Sequence, residues 1–152
     1  MSLANLLSAE QIIPEMKATE RWAAIVELID LLVSLGKIKP ADRDPILNAL
    51  RQREETMSTG IGFGIAIPHC SSDRLEEVVA AFGRSTSGIE FDALDNAPVK
   101  FVVLFIVPKN QFQTHLRTLA SIAKFLNDRS VRESLAGAKS ADEILSIFRE
   151  RS

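Results

Sequence analysis

The stretch VKFVVLFIV, Val99 to Val107, contains the longest apolar run of the chain, Phe101 to Val107. Its β-branched and aromatic residues, apolar at consecutive positions, predict a central strand buried on both faces of a sheet. The run is far shorter than the ~20 residues that a helix needs to cross a bilayer, and Lys100 and Pro108 bracket it. We therefore expect a sheet built around this strand and no membrane span.

Helical patterns lie on both sides of this strand. From Thr19 the sequence TERWAAIVELIDLLVSLG repeats apolar residues every three to four positions, with Thr19 as the N-cap and Gly36 as the stop. A second helix is expected to begin near Pro40 and to run towards Glu55. Three later helices are predicted over FQTHLRTLASIAKFLND at 112–128, over Val131 to Leu135 and over Ala141 to Phe148.

The other strands come between the two groups of helices. We interpret Gly60 to Gly64 as a tight loop that leads into a strand at Ile65 to Pro68, and Val78 to Phe82 as a further strand. This order of elements predicts an α/β fold, a three-layer sandwich with helices on both faces of the sheet. Because no repeat or linker divides the chain, we expect a single domain over residues 1–152.

The composition is that of an ordinary soluble domain, with 46% hydrophobic and 25% charged residues. Lys and Arg total 18 against 20 Asp and Glu, interleaved along the chain, which argues against a nonspecific nucleic-acid binder. One cysteine cannot form an internal disulfide. The N-terminal segment has no basic stretch followed by an apolar one, so we expect a cytoplasmic protein.

The glycines of GIGFG, residues 60–64, do not match a nucleotide-binding loop. They lack the G-x-G-x-x-G spacing, they lead into IAIP rather than into a helix, and no Walker lysine follows. We interpret them as positions where the backbone needs conformations or close approaches that glycine permits.

Two histidines and one cysteine are the scarcest reactive residues. His69 and Cys70 are neighbours in an extended segment, so their side chains point to opposite faces and cannot form a dyad. A zinc site needs at least three protein ligands as a rule, so we expect no metal. His69 follows Pro68 at the end of a strand, and His115 begins the helix after the apolar strand. This topology predicts that the two histidines converge at one edge of the sheet.

Plainer interpretations compete with a functional one. A histidine taken alone is more often incidental than catalytic. The charged residues Arg51, Arg53, Glu54 and Glu55 are together typical of a solvated helix end. Composition and spacing therefore leave open whether any of these residues has a chemical role.

Four ordered motifs resemble the enzyme IIA domain of the bacterial phosphotransferase system. Arg53 and Glu54 are followed after three residues by STGIGFGIAIPH, which ends at His69; then come GIEFDALDNAPV at 88–99, FIVP at 105–108 and THLRTLASIAKFL at 114–126. The likeness is to the fructose/mannitol class, which includes the nitrogen-regulatory enzyme IIA, and covers nearly the whole chain. It implies a mixed β-sheet flanked by helices and a phosphotransferase that forms phosphohistidine.

The resemblance implies a role for individual residues. His69 would accept the phosphoryl group on Nε2 from an HPr-type phosphocarrier, while a backbone carbonyl holds its other ring nitrogen. His115 would donate a hydrogen bond to the phosphoryl group and Arg53 would supply positive charge. Ser58 and Thr59 are weaker candidates for the remaining phosphate oxygens. No cofactor is implied, because transfer between histidines needs mainly alignment and charge stabilisation.

Three positions depart from the usual pattern of this family. Phe63 stands where Asn is common, Met57 where a small residue is common, and Cys70 where Gly is common. We expect Phe63, Met57 and Phe112 on the partner surface. The first two would enlarge the apolar area near the site and change which carrier docks.

Several functions remain open at this stage. The first is a standalone regulator whose phosphorylation alters binding to a target protein, slightly favoured because no IIB or IIC module is present. The second is a IIA component that passes phosphate to a separate IIB/IIC sugar permease of the fructose or mannitol type. The third is a binding module that does not phosphorylate, against which His69, His115 and Arg53 argue. Outside the resemblance, an acid–base hydrolase using His69 is the alternative, although it lacks an evident nucleophile partner.

Overall fold

The computed structural model describes residues 3–151 and contains a six-stranded sheet with helices on both faces. The helices are α1 (Leu3–Leu6), α2 (Arg21–Ser34), α3 (Arg43–Thr56), α4 (Phe112–Leu126), α5 (Arg129–Gly137) and α6 (Ala141–Arg151). The strands are β1 (Ile12–Ile13), β2 (Gly60–Gly62), β3 (Ile65–Ala66), β4 (His69–Ser72), β5 (Val79–Ile89) and β6 (Val99–Pro108). Short 3₁₀ turns cover Ala9–Gln11, Pro40–Asp42 and Lys109–Gln111.

The predicted central strand is confirmed as β6. It pairs antiparallel with β5 on one side and parallel with β3 and β4 on the other, while β1 lies parallel to β5 and β2 antiparallel to β3. The sheet is therefore mixed. Every residue of β6 except Lys100 is buried, as its unbroken apolar sequence predicts for a strand covered on both faces.

Two apolar cores lie on the two faces of the sheet, which confirms the three-layer sandwich. Alternate side chains of β6 enter them: Val103 and Phe105 join the core under α4, α5 and α6, while Leu104 and Ile106 join the core under α2 and α3. Within residues 3–151, no helix is long and apolar enough to cross a membrane.

The helix boundaries differ from the expected ones by a few residues. Glu20, rather than Thr19, caps α2, because its longer carboxylate accepts hydrogen bonds from the backbone N–H groups of Trp22 and Ala23. Pro40 opens a 3₁₀ turn instead of α3 itself. The short helix predicted at Val131 to Leu135 extends to Arg129–Gly137.

The prediction of a loop over Gly60 to Gly64 is wrong in part, because its first residues form β2. A turn with φ values of 103°, 57° and 78° at Gly62, Phe63 and Gly64 joins β2 to β3. At Gly60 the expected close approach is present: an added Cβ would lie 2.7 Å from the Cβ of Ala93.

Two predicted strands also change in length. The strand expected at Ile65 to Pro68 ends at Ala66, and β4 begins at His69. Pro68 lies between them and has no backbone N–H for a ladder bond, although its carbonyl still accepts from the N–H of Phe105 at 3.0 Å. The strand predicted at Val78 to Phe82 continues to Ile89 as β5.

Candidate functional site

His69 is the first residue of β4, where it pairs with Phe105 of the central strand. Its ring turns back on its own chain, and Nδ1 lies 2.8 Å from the carbonyl oxygen of Ile67. Because a carbonyl can only accept, Nδ1 carries the ring proton in the neutral imidazole. The lone pair is then on Nε2, as the family resemblance implies for a ring held by a backbone carbonyl.

The surroundings of His69 favour the neutral imidazole. Burial lowers the pKa of His69 below its ordinary value, the hydrogen bond to Ile67 raises it, and the positive charge of Arg53 lowers it further while the negative charge of Glu54 raises it. The net shift is downward, so the ring is uncharged at neutral pH. An uncharged ring has the free nitrogen lone pair that a nucleophile needs.

His115 is buried in the first turns of α4 and packs edge-on against Phe105, with 6.0 Å between ring centroids. Its Nε2 lies 3.4 Å from Oε1 of Gln111, and its Nδ1 lies 3.5 Å from Oγ1 of Thr118. The amide oxygen of Gln111 accepts, so Nε2 is the donor in this arrangement. Both distances are long for hydrogen bonds, so His115 can readily exchange these partners for others.

The structure brings the two histidines together. His69 pairs with Phe105 and His115 packs on the ring of the same residue, and both line one small hollow between β4 and α4. Cys70 has its side chain in the core under α2 and α3, on the opposite face. The absence of a His69–Cys70 dyad follows, and burial raises the pKa of the Cys70 thiol to about 12, so it is an unreactive neutral group.

Arg53, in the last turn of α3, lies close enough to His69 for its charge to lower the histidine's pKa. Its guanidinium is held by a 2.9 Å hydrogen bond from Nη1 to the carbonyl oxygen of Met57. That bond uses one of the five N–H donors of the group. The predicted cation is therefore beside the predicted acceptor, with donors left over.

The hydroxyls of Ser58 and Thr59, the weaker phosphate candidates, have other partners in this structure. Ser58 Oγ donates to the carbonyl of Phe91 at 3.1 Å and accepts from the N–H of Gly60. Thr59 is buried, and both its hydroxyl and its N–H donate to the carboxylate of Glu54. Each hydroxyl proton is thus engaged inside the protein, because the segment after α3 folds inward against the sheet edge.

Glu54 is a residue that sequence reasoning missed. Together with its neighbours it fits a solvated helix end, and that expectation is wrong for Glu54, which is 2% exposed. It holds for Glu55, which is exposed. Gln111, the partner of His115, was also missed. The sequence signal for both was their spacing from recognised residues: Glu54 follows Arg53, and Gln111 precedes His115 by one helical turn.

The apolar residues predicted for the partner surface occupy two places. Phe112 borders the hollow, as does Leu116, which was not predicted to lie on the partner surface. Met57 is 57% exposed, beside the contact with Arg53. Phe63 is elsewhere, as the strand register shows.

The register places Phe63 well away from His69. Ile65 pairs with Phe101 and His69 with Phe105, positions about 13 Å apart along β6. Phe63 lies in the turn beyond Ile65 and stacks under Arg132 of α5, with 5.1 Å from Cζ to the ring centroid. The expectation that Phe63 enlarges the apolar area near the site is wrong, because Phe63 lies beyond the end of β3 that is far from the histidines.

No group of three or more His, Cys, Asp or Glu within residues 3–151 is arranged to hold a metal ion. The chemistry that the site offers is that of an uncharged imidazole, a second imidazole that donates, and a guanidinium. These groups are suited to an anionic group such as phosphate.

Comparison with known proteins agrees with this chemistry. Residues 5–151 match the family model described as phosphoenolpyruvate-dependent sugar phosphotransferase system, EIIA 2. The chain belongs to this EIIA 2 family. It is accordingly a phosphotransfer protein, and the resemblance stated from its motifs is confirmed.

Relatives of the EIIA 2 protein include both sugar-specific and regulatory proteins. It is 36% identical over 148 residues to the fructose-specific EIIA component of Haloferax volcanii, covering 97% of this chain and 95% of the relative. Its fold matches the crystal structure of nitrogen regulatory protein IIA-Ntr from Neisseria meningitidis with a TM-score of 0.86 and 31% identity, covering 96% and 98% of the two chains. It also matches enzyme IIAMTL in its complex with phosphorylated enzyme IIBMTL from Escherichia coli, with a TM-score of 0.79 and 28% identity over 95% and 98%.

Proposed function

We propose that this EIIA 2 protein accepts a phosphoryl group on Nε2 of His69 from an HPr-type phosphocarrier and acts in the cytoplasm as a standalone regulator of the nitrogen-regulatory type. The observation that carries the proposal is the 2.8 Å contact between His69 Nδ1 and the Ile67 carbonyl, which leaves Nε2 with a lone pair. Membership of the family supplies the class of reaction.

The transfer exchanges one phosphorus–nitrogen bond for another. The phosphoryl group leaves a histidine nitrogen of the carrier, and the electron pair of the broken bond stays on that nitrogen. The lone pair of His69 Nε2 forms the new bond. The transition state is loose and spreads negative charge over three equatorial oxygens, so the protein contributes mainly alignment and charge stabilisation.

His115 and Arg53 are the groups that would stabilise this charge. His115 Nε2 donates to Gln111 over a long 3.4 Å contact, which a phosphoryl oxygen can replace with a stronger, charge-assisted hydrogen bond. The guanidinium of Arg53 keeps donors beyond the one used on Met57. Phe112 and Leu116, both partly exposed beside the hollow, provide apolar contacts for the carrier.

The fate of the phosphoryl group separates two versions of the function. The close structural match to a nitrogen regulatory protein supports the regulator. The fructose-specific relative and the match to a IIA protein in complex with IIB support the alternative, in which the group passes to a separate IIB domain of a sugar permease. A binding module that does not phosphorylate is the third version.

The first experiment tests the acceptor. The protein is incubated with labelled phosphoenolpyruvate, enzyme I and an HPr-type carrier, and acid-labile label is measured. Wild type should gain the label and His69→Ala should not. Absence of label on wild type supports the third version, and labelling of His69→Ala overturns the assignment of His69.

The second experiment follows the label onward. Purified phosphoprotein is mixed with an isolated IIB domain of the fructose type. Retention of the label supports the regulator, because its phosphoryl group serves as a signal. Rapid transfer to IIB supports the sugar-transport alternative.

A further inference from the structure

Glu54 is a buried charged residue to which the proposed reaction assigns no role. It lies in the last turn of α3 with 2% of its surface exposed, one residue after Arg53. Burying a carboxylate is unfavourable unless hydrogen bonds and an opposite charge replace the lost water. The groups that contact the Glu54 carboxylate in place of water therefore show which parts of the structure it holds in position.

Two kinds of partner compensate the carboxylate. Its Oε2 accepts the backbone N–H of Thr59 at 3.1 Å, and its Oε1 accepts the hydroxyl of the same residue. The guanidinium of Arg21, at the start of α2, lies 3.6 Å from Oε2. Glu54 thus holds Thr59 against the end of α3 by two hydrogen bonds, and its ion pair with Arg21 joins it to α2.

Thr59 continues the connection towards the acceptor. Its carbonyl accepts the N–H of Ile67 at 3.0 Å, and the carbonyl of Ile67 is the group that lies 2.8 Å from His69 Nδ1. Pro68, between Ile67 and His69, restricts the backbone because its ring fixes φ. Three hydrogen bonds, joined by the backbones of Thr59 and Ile67, therefore connect the carboxylate to the imidazole.

We propose that Glu54 is a positioning residue for His69: its buried carboxylate fixes Thr59 and, through the backbone of Ile67, holds the Nδ1-protonated ring that presents Nε2 to the carrier. The inference rests on the proposed acceptor role of His69. Glu54 does not touch the transferred group. It determines where the Ile67 carbonyl points.

The present hydrogen-bond pattern depends on a carboxylate, which accepts at both of its oxygens. Thr59 offers two donors, its N–H and its hydroxyl, to the two oxygens of Glu54. An amide at this position has one oxygen and one NH₂ group: the oxygen can still accept the Thr59 N–H, but the NH₂ group can only donate to the Thr59 hydroxyl, whose own proton then loses its acceptor. Glutamine has nearly the same shape as glutamate and therefore tests the hydrogen-bond pattern with little change in packing.

The charge of Glu54 acts on the same ring. It opposes the effect of Arg53 on the pKa of His69, which burial lowers most. Replacement of the carboxylate by an amide removes this opposition, so the imidazole should remain neutral in the variant. Any loss of transfer in Glu54→Gln then reflects the position of the proton and ring rather than protonation of Nε2.

The test measures the ring directly and the reaction separately. ¹⁵N-labelled wild type, Glu54→Gln and the control Glu55→Gln, an exposed carboxylate on the same helix, are compared by the imidazole ¹⁵N chemical shifts at neutral pH. Those shifts report which ring nitrogen carries the proton. The signals of the two histidines are assigned with His115→Gln. The rate of labelling by the phosphocarrier is measured on the same samples.

We expect Glu54→Gln to shift the His69 signals towards a mixture of the two tautomers and to slow labelling by about 10- to 100-fold, the scale of a small misplacement of a reacting group. Glu55→Gln should match wild type in both measurements. A folded Glu54→Gln protein with the wild-type tautomer and rate overturns the inference. Failure of wild type itself to accept phosphate overturns the proposed function instead, and the tautomer measurement still decides the role of Glu54.

A second pair of variants is used if Glu54→Gln does not fold. Thr59→Ser keeps the hydroxyl donor, while Thr59→Val removes it from a side chain of the same shape. Thr59→Ser should keep the wild-type tautomer and rate, and Thr59→Val should move both in the same direction as Glu54→Gln. If the two Thr59 variants have the same tautomer and the same rate, the proposed connection from Glu54 to His69 is overturned.

Discussion

The two ends of the segment from Phe63 to His69 are built differently. Phe63 adopts a left-handed φ of 57°, and 65% of its surface is exposed. His69, about 13 Å further along the central strand, is half-buried, held by the carbonyl of Ile67 and paired with Phe105. The ring that is proposed to react is held by hydrogen bonds and the core, whereas the ring at the turn depends on one cation contact.

This contrast predicts how strongly a substitution at each end affects the stability of the protein and its function. Substitution at the His69 end disturbs a buried, hydrogen-bonded arrangement and should be costly. Substitution at the Phe63 end removes an exposed ring, so it should cost little, and a residue that tolerates the left-handed φ should stabilise the turn.

Phe105→Ala should have the largest effect on stability. Phe105 is buried beneath both histidines, so the variant loses core packing and the edge-on contact with His115. We expect its free energy of unfolding to fall by about 3–5 kcal/mol, measured by urea denaturation. Phe63→Ala, the matched control at the other end, should change it by less than about 1 kcal/mol. Equal losses of unfolding free energy in Phe105→Ala and Phe63→Ala would contradict the difference between the His69 end and the Phe63 end of the segment.

His115→Ala should slow phosphoryl transfer by about 10- to 1000-fold, because it removes a donor to the developing charge. The rate of labelling by the phosphocarrier measures this. Phe63→Ala, far from the histidines, should transfer at close to the wild-type rate. A wild-type rate for His115→Ala would exclude this residue from the stabilisation of the phosphoryl group.

The rate of transfer should depend on pH in a way set by the lowered pKa of His69. Only the neutral ring has a lone pair on Nε2, so the rate is full above that pKa and falls as the pH drops through it. Because the pKa is lowered, the fall should begin below the ordinary histidine value of 6.5. Below the pKa the loss approaches about tenfold per pH unit. If the midpoint of the fall in rate lies above pH 6.5, burial is not the dominant influence on the pKa of His69.

The smallest expected effect concerns the turn at Phe63. Asn tolerates left-handed φ because its side chain bonds locally, whereas Ala does not. Phe63→Asn should therefore be more stable than Phe63→Ala by about 0.5–1 kcal/mol, measured by thermal denaturation. Both variants lose the contact with Arg132, so their difference isolates the backbone. The reverse order would show that the turn is not strained.

Much of the fold could be predicted because it depends on local patterns. The apolar run of β6 and the three-to-four spacing of α2 and α4 predicted these elements closely. Alternation along β4 predicted that His69 and Cys70 face opposite sides. The strand β2 escaped prediction because Gly60 to Gly62 has few side chains that could show a β pattern.

The candidate site could be predicted only in part. The motifs identified His69, His115 and Arg53, which the structure places near one another. They did not show that Glu54 is buried or that Thr59 uses its donors on Glu54, because a helix end looks solvated unless the position of the next segment is known.

The sequence by itself determined the family, the layered architecture and the identity of the proposed phosphoryl acceptor, because these depend on periodicity and on motifs read along the chain. Only the tertiary structure decided which carbonyl holds Nδ1 of His69, which partners the hydroxyls of Ser58 and Thr59 have, and where Phe63 lies. The physical reason is that hydrogen bonds to backbone groups and strand register join residues distant in sequence. The connection from Glu54 through Thr59 and Ile67 to His69 exists only once those backbone groups are brought together.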